Sequence, residues 1–110
     1  MTIIAPLHLS PAARSWFAHV VTDFELEPHH VHLLKLACES YDRAEQARLA
    51  VAVHGITYLD RFGSPKSRPE VAIERDSRIG FARLLRELDL DRDGGPEAPR
   101  APAILSNRRA

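Results

Sequence analysis

The stretch HHVHLLKLACESYDRAEQARLAVAVH, residues 29–54, decides the fold. Its apolar residues recur every three or four positions, which predicts one long helix that ends before Gly55, a natural left-handed cap. One apolar stripe consists of Leu34, Ala37, Tyr41, Ala44 and Val51, and a second stripe beside it of Leu33, Leu36, Ala47 and Ala50. A helix that is apolar over so wide an arc is expected to pack on two sides, within the monomer and against a neighbouring subunit.

A shorter helix is predicted upstream, over residues 11–24. Ser10 is a good N-cap, and Pro11 is tolerated at the first helical position because its missing N–H would be unpaired there. The apolar face of this helix consists of Ala13, Trp16, Phe17, Val20, Val21 and Phe24. Pro28 disfavours a helical backbone at Glu27, so the connection between the two helices is expected to be tight.

The chain changes character after Gly55. Residues 56–59 favour β structure, and Gly63 and Pro65 are turn residues, so a short β-hairpin or an extended arm is predicted. Pro69 then begins a third helix over residues 69–88. Its predicted core face consists of Phe81, Leu84, Leu85 and Leu88, extended by Ala72 and Ile79. The predicted fold is therefore mainly α, a three-helix domain with a short hairpin or arm between helices two and three.

The length of 110 residues fits one small domain. We expect an N-terminal arm at residues 1–9, a helical domain at 10–93 and a flexible tail at 94–110. The tail has Pro and Gly but no periodic apolar pattern, so it is predicted to be disordered in isolation. Ile104 and Leu105 could anchor it on a partner protein.

The overall charge excludes a simple polycationic DNA-coating protein. Lys plus Arg equals Asp plus Glu at 15 each, so the formal net charge is zero, although a local basic patch remains possible. The single cysteine, Cys38, cannot form an internal disulfide, which fits a reducing compartment. Neither a signal peptide nor a membrane span is predicted.

No catalytic constellation stands out. Asp89, Asp91, Asp93 and Gly94 match the opening of a calcium loop, but Arg100 occupies the position of the required bidentate Glu. His29, His30 and His32 cluster at a helix start, yet a zinc site needs about four converging ligands. Cys38 lies mid-helix among apolar residues, where a buried structural thiol is expected. The chain is predicted to be no enzyme and to hold no metal or cofactor.

The basic residues are the candidates for a binding site. Arg61, Lys66 and Arg68 lie in the connector between helices two and three, where Asp60 is the opposing acid. Arg75 and Arg78 follow on the third helix. Binding to DNA phosphates needs such local positive charge, and these five residues form the predicted DNA-binding site. The alternative for the third helix is ion pairing with Glu70, Glu74 and Asp76.

The order of several short motifs resembles the small terminase subunits of tailed phages and prophages. The resemblance covers residues 7–93 and lies in their joint order and spacing. Many members have Gly where Asp89 stands here. The motifs are the run His8-Leu9-Ser10-Pro11-Ala12-Ala13 followed by Trp16, then Tyr41-Asp42-Arg43-Ala44-Glu45, Gly63 and Lys66, Pro69-Glu70, Arg75-Asp76, and Leu84-Leu85-Arg86-Glu87-Leu88-Asp89-Leu90.

This resemblance implies a non-enzymatic DNA-packaging factor in the cytoplasm of a bacterial host. Such subunits assemble into rings, bind double-stranded viral DNA near the packaging start, and recruit or stimulate the large ATPase-nuclease subunit. Two other functions stay open. A helix-turn-helix regulator fits the length of the connection between helices one and two, and a helical adaptor without nucleic-acid binding fits the zero net charge.

Overall fold

The computed structural model describes residues 3–90 of the chain. Helix α1 spans Pro11–Asp23, α2 spans Pro28–His54 and α3 spans Pro69–Leu88, with strand β1 at Thr57–Leu59 and β2 at Pro65–Ser67. The predicted mainly α fold with a hairpin between helices two and three is confirmed. The predicted tail at 94–110 and the calcium-type loop beyond residue 90 lie outside the described residues.

The helix ends follow from local sequence. The Ser10 hydroxyl accepts a hydrogen bond from the Ala13 N–H at 3.1 Å and so caps α1, as predicted. Glu27 has an extended backbone just before α2, and its N–H donates to Nδ1 of His30 at 3.1 Å. Gly55 ends α2 with φ +89° and ψ −179°. This conformation suits glycine, but it is not the left-handed helical cap that the sequence predicted.

Helix α3 ends at Asp89, the position where many of the small terminase subunits that the sequence resembles have glycine. Asp89 adopts the left-handed conformation, with φ +55° and ψ +44°, and its N–H donates to the carbonyl of Leu85 at 3.0 Å. Asp is among the few non-glycine residues that enter this region at modest cost. The helix therefore ends at the predicted residue, in the geometry for which glycine is the usual choice.

The main core lies where α1 meets the first half of α2 and the last turn of α3. It consists of Leu9, Ala13, Phe17, Val20, Leu34, Cys38 and Leu88. Phe17 and Leu34 are 1% and 0% exposed, and burying each side chain contributes about 1.5–3 kcal/mol. Trp16 packs against this cluster, as predicted, and its ring meets that of Phe81 edge-on at 5.8 Å between centroids.

Helix α3 runs antiparallel to α2. Leu88, near its end, shares the core with Leu34, near the start of α2. Farther along, a Cβ on Gly80 would lie 3.7 Å from Oγ of Ser40. Ala44 and Ala47, small residues in the second half of α2, are buried. Ile79 is 46% exposed, so its predicted place in the core was wrong: the packing rotates this residue away from α2.

A polar clamp fixes the N-terminal arm on α2. The Asp42 carboxylate accepts hydrogen bonds from both the backbone N–H, at 2.8 Å, and the hydroxyl of Ser10. One turn earlier on α2, Oε2 of Glu39 lies 2.7 Å from Nε2 of His8. The arm therefore enters α1 in one orientation, with Leu9 in the core.

Loss of the clamp carboxylate should destabilise the fold. We expect Asp42→Ala to lower the free energy of unfolding by about 1–3 kcal/mol, because two part-buried Ser10 donors are left without their acceptor. Urea unfolding followed by circular dichroism measures this change. Gln46→Ala, one turn later at an exposed position, is the matched control and should change stability little. Equal stability of the two variants would show that the clamp does not stabilise the fold.

The Cys38 thiol should be unreactive in the folded protein. Burial, then the nearby charges of Asp42 and Glu39, raise its pKa to about 12, and the side chain is 0% exposed. At pH 8 only about one such thiol in ten thousand is ionised. We expect a chromogenic disulfide reagent to label Cys38 only after guanidinium unfolding. Labelling of the folded protein at the unfolded rate would contradict the buried position.

Candidate nucleic-acid interface

The connector between α2 and α3 forms a two-stranded antiparallel hairpin. The paired residues are Thr57 with Ser67, Tyr58 with Lys66, and Leu59 with Pro65. A hydrogen bond from the Arg68 N–H to the Ile56 carbonyl, at 2.9 Å, closes its base directly before α3. The hairpin is therefore a continuous extension of the α2–α3 pair, joined to the end of α2 and the start of α3.

Asp60 organises the turn at the tip. Its Oδ1 accepts from the backbone N–H groups of Phe62, at 2.8 Å, and Ser64, at 2.9 Å. Its carbonyl accepts from the N–H of Gly63 at 2.9 Å. Gly63 has φ +81°, a conformation in which other residues are strained. Asp60, the only carboxylate of the hairpin, thus stabilises the turn through these hydrogen bonds.

The hairpin is exposed along its whole length. Between residues 56 and 67, Asp60 alone is half-buried, and every other residue is exposed. Four large apolar side chains are among the exposed residues: Ile56 at 62%, Tyr58 at 41%, Leu59 at 68% and Phe62 at 78%. These side chains contribute little to the core. Because they are exposed together, we infer that they contact another molecule.

Three of the five predicted DNA-binding residues lie on this hairpin or at its base. The Arg61 guanidinium lies 5.0 Å from the centroid of the Phe62 ring. Nζ of Lys66 is 4.0 Å from Oδ2 of Asp60, a long and exposed contact. Arg68 is half-buried at the N-cap of α3, and no described residue accepts a hydrogen bond from its Nε.

The other two predicted residues lie on α3, and each has a carboxylate partner. Nε of Arg75 is 3.1 Å from Oδ1 of Asp76, and Nη2 of Arg78 is 2.6 Å from Oε2 of Glu74. Arg78 is also close enough to α2 for its charge to act on Glu45. A hydrogen bond from Arg48 and, more weakly, the charge of Arg78 lower the pKa of Glu45. The ion pairing that the sequence left open for α3 is therefore present at Arg75 and Arg78.

The positive charge surplus of the described residues is concentrated in the connector. Residues 56–69 contain three cations and one acid, a net charge of +2. Helix α3 has four arginines and four acids, and α2 has three cations and three acids, so each is neutral apart from its histidines. Residues 11–27, in α1 and its flanking turn, have one arginine against three acids. The hairpin is thus a positive protrusion on a neutral to acidic body.

The aromatic residues of the hairpin were missed as part of the site. Sequence reasoning identifies Tyr58 as a β-favouring residue and Phe62 as part of a turn segment, and neither as a binding residue. The structure places Tyr58 opposite Lys66 and Phe62 beneath the Arg61 guanidinium. The sequence signal that could have indicated a binding role for Phe62 is its place directly after the cation Arg61, inside a turn. Such a pair brings a π surface and a charge to the same exposed point.

The histidine cluster has a structural role at one member. Nδ1 of His30 accepts the Glu27 N–H at the start of α2, and the rings of His29 and His30 lie 4.1 Å apart. Within residues 3–90, no three His, Cys, Asp or Glu side chains are grouped as a metal site would require. None of the three described helices is long and apolar enough to cross a membrane.

Comparison with known proteins identifies the family. The sequence model of the family described as phage terminase, small subunit, matches residues 13–93, which include nearly all of α1 together with α2, the hairpin and α3. Searches of curated proteins and of solved structures gave no match. The family match spans well over half of the chain, and it agrees with the order of motifs in the sequence. The chain therefore belongs to the phage terminase small-subunit family.

Proposed function

We propose that this protein is the DNA-recognising, non-catalytic small subunit of a phage packaging terminase. In this proposal it assembles into a ring in the host cytoplasm, binds double-stranded viral DNA and recruits the large ATPase-nuclease subunit. The family match supports the packaging role. The single observation that carries DNA binding is the positive connector: residues 56–69, which include the exposed hairpin, have a net charge of +2 on a body that is otherwise neutral or acidic.

The hairpin cations are available to phosphates. Arg61 and Lys66 are exposed, and the one nearby carboxylate, Asp60, already accepts two turn N–H groups. A cation that neutralises a DNA phosphate releases a condensed counterion, which gives affinity without sequence preference. Because each subunit offers few cations, a ring that repeats the hairpin would gain affinity through effective concentration.

The remaining three candidate residues contribute less in this proposal. Arg68 is half-buried at the base of the hairpin. Arg75 and Arg78 would have to leave Asp76 and Glu74 before binding a phosphate, or share their charge with those carboxylates. Both ion pairs are largely exposed on the arginine side, so their rearrangement is not costly. We therefore rank Arg61 and Lys66 above the two α3 arginines.

The proposed ring interface is the outer face of the second half of α2. The arm and α1 cover this helix near Cys38 and Asp42, whereas Leu49 and Val53 farther along are 53% and 75% exposed. The arm itself exposes apolar residues, with Ile4 at 73% and Leu7 at 81%. A second copy can cover both apolar surfaces at once, and repeated head-to-tail contacts of this kind close into a ring. In this proposal, the tail at residues 94–110 contacts the large subunit.

A helix-turn-helix regulator would instead read DNA with the start of α2. That region offers His29 and His32, both exposed, beside the acids Asp23, Glu25 and Glu27. The acidic flank would repel phosphates. The hairpin has the opposite balance, so it is the better candidate for the DNA-binding element.

Removal of the two hairpin cations should weaken DNA binding in a salt-dependent way. We expect Arg61→Ala/Lys66→Ala to flatten the plot of log binding constant against log salt by about 0.9 for each phosphate that the variant no longer neutralises. The measurement is a titration of labelled duplex DNA at several salt concentrations. Arg75→Ala/Arg78→Ala should give a smaller change.

A charge-matched control is available at the other end of α3. Arg83→Ala/Arg86→Ala removes the same charge from exposed positions about 25 Å along the helix from Arg68. This control should leave the slope nearly unchanged. Equal slopes for the hairpin and control variants would show that net charge alone matters, and the hairpin would lose its assigned role.

Disruption of the proposed interface should separate the subunits. We expect wild type to have a mass above that of a dimer in light scattering, and Leu49→Glu/Val53→Glu to be monomeric, because the variant buries charge against the neighbour. Ala18→Glu, at an exposed position on α1, is the control and should assemble normally. A monomeric wild type at micromolar concentration would rule out the ring.

A further inference from the structure

We propose that the hairpin also deforms DNA, by inserting the Phe62 ring between base pairs from the minor groove. This inference rests on the proposed DNA binding and assigns a second task to the same element. The cations hold the backbone, and the aromatic tip unstacks one base step and bends the duplex. The ligand is thus double-stranded DNA that can be kinked, rather than any polyanion.

The first argument is the position of Phe62. It lies in the turn, at the point of the hairpin farthest along the chain from both helices, and it is 78% exposed. Its backbone is nevertheless fixed, since its N–H donates to Oδ1 of Asp60 at 2.8 Å. An exposed ring on a fixed backbone loses little further conformational freedom when it binds. Apolar side chains held in this way are the usual wedges of proteins that kink DNA.

The second argument is the charge around the ring. The Arg61 guanidinium is 5.0 Å from the ring centroid, and Lys66 lies across from Tyr58 on the paired strand. Cations therefore accompany the aromatic tip on both sides of the turn. A wedge between base pairs has phosphates on either side of it, so this arrangement suits the minor groove.

The third argument is the shape of the tip. The backbones of two paired strands are about 4.8 Å apart, and with their side chains they match the width of the major groove, about 12 Å, whereas the minor groove is about 6 Å wide. The Phe62 ring at the tip, and not the strands, is therefore the part that enters the minor groove. Gly63, next to Phe62, has no side chain, and a Cβ built there would meet nothing within 4 Å. The Phe62 ring therefore lies beside open space at the apex. Its insertion requires the minor groove to widen, which a bend toward the major groove supplies.

The test measures bending and unstacking separately from binding. Full-length protein is added to a duplex with fluorophores at its two ends, and to a second duplex that contains 2-aminopurine. We expect wild type to raise energy transfer, as a bend of about 20–90° shortens the end-to-end distance, and to raise 2-aminopurine fluorescence. Phe62→Ala should lose both signals and bind several-fold more weakly, with an unchanged salt slope.

Two further variants keep the result interpretable. Phe62→Leu retains an apolar wedge and should preserve most of the bend. Ile79→Ala, which truncates an exposed apolar side chain on α3, should behave as wild type. If Phe62→Ala bends and unstacks DNA as wild type does, the wedge is wrong. If Phe62→Ala instead dissociates the oligomer or abolishes only large-subunit binding, Phe62 is a protein contact and the wedge is likewise overturned.

The outcome also separates this inference from the proposed function. Wild type that binds DNA in a salt-dependent way without bending or unstacking it overturns the wedge alone. Wild type that binds no DNA even at low salt overturns the proposed DNA binding itself.

Discussion

Helix α2 has different packing partners along its two halves, and the rest of the molecule depends on this difference. Its first half lies between the arm and α1 on one side and the end of α3 on the other, which buries Leu34, Ala37 and Cys38. Among residues 3–90, α3 is the main partner of its second half, where Ala44 and Ala47 are buried. The main core therefore lies at one end of the helix pair, and the hairpin at the opposite end projects from a thinner, two-helix region.

This arrangement separates stability from binding. The core end has the large buried side chains and the clamp between Ser10 and Asp42, which stabilise the fold. The hairpin end has the positive charge and the exposed Phe62. Electrostatic self-repulsion among the hairpin cations is small, because Asp60 lies at the turn and Lys66 reaches toward it. The proposed DNA-binding surface can thus change without loss of the fold.

The sequence was sufficient for the features that depend on neighbouring residues. Ser10 and Pro28 marked helix starts, and apolar spacing predicted the three helices. It was insufficient where two helices meet. The rotation of α3 about its axis decides that Ile79 is exposed, and the helical repeat alone does not set this rotation. The hydrogen bond from Ser10 to Asp42 joins residues 32 positions apart, so no local sequence pattern predicts it.

Replacement of the hairpin tests the separation of stability from binding most directly. The Ile56 carbonyl and Arg68 N–H are 2.9 Å apart, so a four-residue Gly-Ser loop can replace residues 57–67 without strain. The decisive measurement compares thermal unfolding, oligomer mass and DNA affinity of this variant with those of wild type. We expect similar unfolding and mass, with DNA binding abolished at every salt concentration. DNA affinity equal to that of wild type would contradict the assignment of binding to the hairpin.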